Sequence, residues 1–96
     1  MPTPDAVAAC FRRKGVTSVY EKKERGVRFV NGLVGGANAV SAEFTGTKAK
    51  TEELLRRYEA EDLPSLEAFE VIEGAAVGVI NKREPANKQI VLDCFE

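Results

Sequence analysis

Ala76-Val77-Gly78-Val79-Ile80 runs without a polar break. A β-strand turns successive side chains to opposite faces, so such a segment has no side to offer to water and belongs in the middle of a sheet. The longest uninterrupted apolar-plus-glycine run, Gly74 to Ile80, is far short of the ~20 residues that span a bilayer. A central strand needs neighbours, and the sequence supplies them. Val16 to Lys23 is rich in β-formers, Glu24-Arg25-Gly26 has the composition of a hairpin turn, and Val27 to Val34 runs back. After Gly35-Gly36, Val40, Ala42 and Phe44 alternate with Ser41 and Glu43, which completes a meander with one buried face.

Helices frame these strands. Thr3 is suited to an N-cap, Pro4 to the first helical position and Asp5 to the positive end of the helix dipole. Val7, Cys10, Phe11 and the stem of Lys14 recur at helical spacing, and Gly15 can close the helix, so residues 4–14 are predicted helical. A second helix is predicted from Thr51, with Glu52–Arg56 and Glu53–Arg57 as i,i+4 ion pairs and Leu54, Leu55 and Tyr58 on its apolar side. Leu63-Pro64 ends it.

The last third reads as strands over Leu66–Glu73, Ala75–Asn81 and Lys88–Phe95. In the first of these, Leu63, Leu66, Phe69 and Ile72 recur every three residues, so a short helix capped by Ser65 competes with the strand. The predicted fold is a single domain over residues 1–96 of the α+β class. It has two layers, an antiparallel sheet with two helices on one face, in the order α-βββ-α-βββ. An offset of 48 brings Thr3 onto Thr51, Val7 onto Leu55 and Gly26 onto Gly74, which raises an internal pseudo-repeat, although the identities are sparse.

Composition narrows the chemistry. The 96 residues contain no histidine and no tryptophan, with five Phe and two Tyr, so the core must be built from small aliphatic side chains. Without imidazole there is no Ser–His–Asp or Cys–His catalysis and no zinc site that needs it. Glu67, Glu70 and Glu73 are the densest acidic set and read as solvated surface. No glycine pattern matches a phosphate-binding loop. The expectation is therefore a protein that is not an enzyme and holds no metal and no cofactor. Cys10 and Cys94 are two cysteines separated by 84 positions. They make no disulfide framework and read as buried thiols; a contact between them cannot be derived from spacing. The segment Met1 to Asp5 lacks the basic and apolar regions of a signal peptide, so no membrane association and a cytoplasmic location are expected.

Charge is unevenly placed. Residues 1–50 hold nine Lys/Arg against four Asp/Glu, and residues 51–96 hold five against eleven. The candidate binding surface is the basic end of this distribution: Arg12, Arg13, Lys14, Tyr20, Lys22, Lys23, Arg25 and Arg28, where a helix end meets a hairpin. The expected function is a small interaction module that binds another protein or self-associates as a homodimer through charged surfaces. The alternative is nucleic-acid binding through residues 12–28, with lysine and arginine on phosphates and Tyr20 stacking on a base. An overall charge of −1 weighs against that alternative.

Overall fold

The computed structural model describes residues 1–61, 64–72 and 74–96. Among the described residues are three helices, α1 (Pro4–Arg13), α2 (Lys48–Glu61) and α3 (Asn87–Asp93). The five strands are β1 (Thr17–Glu24), β2 (Val27–Val34), β3 (Asn38–Phe44), β4 (Leu66–Val71) and β5 (Ala76–Asn81). All are antiparallel in one sheet of order β1-β2-β3-β5-β4. The chain is α+β, as its pattern implies, and β5, apolar from Ala76 to Ile80, lies inside the sheet between β3 and β4.

The first three-quarters of the chain follow the sequence closely. The side chain of Thr3 accepts from the Ala6 amide at 3.1 Å and caps α1. The β1–β2 turn places Arg25 (φ 52°) and Gly26 (φ 79°) both in the left-handed region. That geometry matches the right-handed twist of the strands it joins. Helix α2 begins three residues earlier than predicted. Thr47 caps it by accepting from the Lys50 amide at 3.2 Å. Thr51 is fully buried within the helix, where its hydroxyl meets Thr45 Oγ1 and the Gly74 carbonyl. Of the segment 66–73, residues 66–71 form a strand, and Glu73 lies outside the described residues. Of Leu63-Pro64, Leu63 does too; α2 ends at Glu61.

Three expectations are corrected. Residues 88–95 are not a strand: Asn87–Asp93 is helical. Strand parity there would have buried Ile90, Leu92 and Cys94. The structure buries Val91, Cys94 and Phe95, which share a helical face. The order is thus α-βββ-α-ββ-α with three helices, and the two halves do not share an element order. The helices also do not lie on one face. Residues paired across neighbouring antiparallel strands point the same way. One face therefore carries Val30, Val40, Ala42, Phe69, Val71, Ala76 and Ile80, which join Val7, Phe11 and Val91 of α1 and α3 in the main core. The opposite face carries Phe29, Asn31, Ser41, Glu43, Val77 and Val79. Helix α2 lies there, with Tyr58 bonded to Glu43. A strand apolar on both sides needs cover on both, and the chain meets that need with α2.

The third correction concerns the cysteines. Cys10 and Cys94 form a disulfide, Cα–Cα 5.6 Å, that ties the end of α1 to the end of α3. Beside it Lys14 and Asp93 pair at 3.1 Å, and the rings of Phe44 and Phe95 meet at a 35° tilt with their centres 5.4 Å apart.

Candidate functional site

The two faces of the sheet are finished to different degrees. The face under α1 and α3 holds the main core. On the other, α2 stands over β4 and β5, and Val77 and Val79 beneath it are buried. The helix itself is poorly covered. Of its 14 residues only Thr51 is buried, while Leu54, Leu55 and Tyr58 stay half-buried. Beyond α2 the sheet lies open: Phe29, Asn31, Leu33 and Ser41 are half-buried, and Ala39 is exposed.

A cleft of about 380 Å³ runs between α2 and the β1–β2 hairpin. A second of about 300 Å³ continues over the open sheet, and Phe29, Glu43 and Tyr58 line both. Glu43 is the unusual member. It sits on β3 with Phe29 opposite it on β2 and Val77 opposite it on β5. With apolar neighbours on both sides it is only 6% exposed. Its Oε1 accepts from the Tyr58 hydroxyl at 3.0 Å. Its Oε2 is buried and has no hydrogen-bond partner among the described residues. Arg25, Lys50 and Arg57 line the same cleft, as do Glu24, Glu53 and Glu61. None of the three cations forms an ion pair with Glu43.

Burial therefore pushes the Glu43 carboxyl above its ordinary range, and the Tyr58 hydrogen bond only partly offsets this. Burial, followed by the negative charge of Glu43, likewise raises the Tyr58 phenol. A carboxyl whose folded pKa lies above its unfolded value of 4.5 holds its proton more tightly in the folded chain. Its contribution to stability is thus fully present below pH 4.5 and is lost as pH rises through the folded value. Glu43→Gln is expected to match the native chain near pH 4 and to be the more stable of the two at pH 7. Urea unfolding across that range checks it, and equal stability of the two proteins at every pH would contradict a burdened carboxylate.

The basic residues singled out from the sequence do not share one surface. Tyr20, 54% exposed, and Lys22 lie on the open face, where Lys22 pairs with Glu24 at 2.9 Å. Arg28 and Lys23 occupy the other face, with Arg28 paired to Glu21 at 3.1 Å. Lys14 is held by Asp93, and Arg12 donates to the Val19 carbonyl at 3.4 Å. Arg13 is exposed at the end of α1. Arg25, at the hairpin tip, is the member of the set that lines the cleft beside α2.

Neither Glu43 nor Tyr58 stands out in the sequence. In the alternation of β3, Glu43 occupies the polar phase next to Ser41 and reads as solvent-facing. The available clue is β5: a strand apolar on both faces requires cover on the second face, and that cover reaches the adjacent residue of β3.

No metal-binding group of His, Cys, Asp or Glu occurs among the described residues. Comparison of the chain with protein-family models, curated proteins and solved structures returns no match.

Proposed function

We propose that this chain is a non-enzymatic interaction module that docks a segment of another protein on the open part of the sheet, between α2 and the β1–β2 hairpin. The unfinished second face carries this reading. Phe29, Leu33 and Leu54 are left half-covered, and a polar rim surrounds them. Apolar floor within polar rim is the composition of a protein-binding surface.

Self-association on the same face is a second use of the surface. Nucleic-acid binding gains less support, because the basic residues are divided between two faces and several are neutralised by neighbouring carboxylates. The disulfide also bears on where the protein works. A bridge of this kind persists in oxidising compartments and is rare in the cytosol, so it favours an oxidising location over the cytoplasmic expectation. None of the described helices is long and apolar enough to cross a membrane.

Panning the intact protein against a displayed library of random peptides tests the docking surface. Ala39→Arg and Ser41→Arg place long cations on the open sheet and are expected to weaken the selected peptides at least tenfold. Arg13→Glu, at the end of α1, is expected to leave them unchanged. Peptides that bind the two open-face variants as tightly as the native protein would refute the placement.

A further inference from the structure

The open face has one position where the chain leaves a specific chemical demand unmet. Glu43 is 94% buried by its 6% exposure, and its Oε2 is unpartnered among the described residues while its Oε1 is held by Tyr58. A buried carboxylate oxygen without a donor is unfavourable for the folded chain. Oε2 is covered in the free chain, so an incoming donor reaches it from the cleft by displacing the side chains that cover it. Glu43 lines the two clefts that run along α2 and over the sheet, as do Phe29 and Tyr58.

We propose that Glu43 is the anchor of the docking site, and that it receives a lysine or arginine side chain of the partner segment, whose cationic head donates to Oε2 between Phe29 and Tyr58. Charge complementarity selects this occupant. A cation supplies the missing donor and balances the carboxylate. A neutral donor would supply the hydrogen bond and leave the charge uncompensated. An acidic group would meet Glu43 as a like charge. The tyrosine hydroxyl fixes the carboxylate in advance, so little orientational freedom is lost when the cation arrives. The tail of the incoming side chain passes over Phe29 and Leu54, which are left half-covered.

This inference rests on the docking surface proposed above, and its test separates the two. The probe is n-butylguanidinium, with butyramide as the neutral counterpart, titrated into the intact isotope-labelled protein and followed by amide NMR. Saturable shifts at Phe29, Glu43 and Tyr58 are expected with the cation and not with the amide. Glu43→Gln is expected to weaken the cation at least tenfold, with the spectrum otherwise that of a folded chain. Binding that is equal in Glu43→Gln, or equal for amide and cation, would overturn the anchor. The displayed peptides give the second arm. Selected sequences are expected to share one Lys or Arg and to lose at least tenfold on Glu43→Gln. Open-face peptides indifferent to Glu43→Gln would overturn the anchor and leave the docking surface standing. Cation binding that depends on Glu43, with selected peptides insensitive to Ala39→Arg and Ser41→Arg, would keep the anchor and refute the docking surface. If the cation shifts only residues at Glu21, Glu24 or other surface carboxylates, the anchor is likewise overturned.

Discussion

Removing the Cys10–Cys94 bridge is expected to destabilise the chain by about 4–5 kcal/mol. The bridge joins residues 84 apart in a chain of 96, so it closes nearly the whole polypeptide into one loop. Loop-closure entropy grows with loop length, and a cross-link that spans so much of the chain restricts the unfolded ensemble accordingly. A domain of this size has a total stability of only ~5–14 kcal/mol. The bridge also joins α1 to α3, two helices packed on the same face but separated by the whole sheet in sequence. Helix α3 has seven residues and no side-chain N-cap bond, so it depends on tertiary attachment. Reduction, or the pair Cys10→Ala and Cys94→Ala, is expected to lower the melting temperature by roughly 20 °C or more. Loss of α3 protection in hydrogen exchange should precede that of β3 and β5. Melting within a few degrees of the oxidised protein would show that packing alone holds α3 in place.

Gly78→Ala is expected to cost about 2–3 kcal/mol, or roughly 10–20 °C in melting temperature. Gly78 lies on β5 opposite Ala42 of β3 and Phe69 of β4. A methyl group there would meet the Phe69 ring at 2.5 Å and Val91 of α3 at 3.0 Å. Phe69 itself lies against Lys88, whose ammonium is 4.9 Å from its ring centre. Swinging the ring away would give up this contact with the start of α3. Glycine at this point lets a phenylalanine lie flat across the central strand and lets α3 approach it. The test is thermal unfolding of the oxidised variant, and a change below about 0.5 kcal/mol would mean that β4 shifts to make room.

These two residues mark how far the sequence could be read. Gly78 was legible as part of an all-apolar central strand, because that inference needs only the period-2 geometry of a strand. Its role as the seat of Phe69 needed the register of β4 on β5, which no local pattern encodes. Val91, Cys94 and Phe95 carry a helical period, but the run is only seven residues. Its alternate residues Ile90, Leu92 and Cys94 fit a strand equally well, so the tertiary contact with β5 and the bridge to Cys10 decided between them. The meander was plain because Arg25-Gly26 and Gly35-Gly36 punctuate it with turn chemistry. Lateral placement was not: an amphipathic α2 announces that it has an apolar side and is silent about which face of the sheet receives it.

The candidate site was the least legible part for the same reason. Basic residues clustered in sequence between Arg12 and Arg28 are divided by strand parity, with Tyr20 and Lys22 on one face and Lys23 and Arg28 on the other. Four of them then find a neighbour of opposite charge or a carbonyl close by: Lys14 with Asp93, Lys22 with Glu24, Arg28 with Glu21 and Arg12 with Val19. Exposed pairs of this kind contribute little to stability, but they reduce what the cluster offers to a distant partner. Glu43, by contrast, is inconspicuous in sequence and becomes unusual only when β2, β5 and α2 close around it.

The most direct measurement of that account is the titration of the Glu43 side-chain carboxyl by carbon NMR, in the intact protein with and without n-butylguanidinium. Its surroundings include Tyr58, Lys50, Glu53, Arg57 and Glu61 of α2 and Glu24 and Arg25 of the hairpin, so Arg25→Gln and Arg57→Gln serve as controls for nearby charge. The midpoint is expected above the ordinary carboxylate value of 4.5 in the free protein and is expected to fall when the cation is added. A midpoint at the ordinary value that the cation does not move would contradict a buried, unmatched carboxylate as the centre of this site.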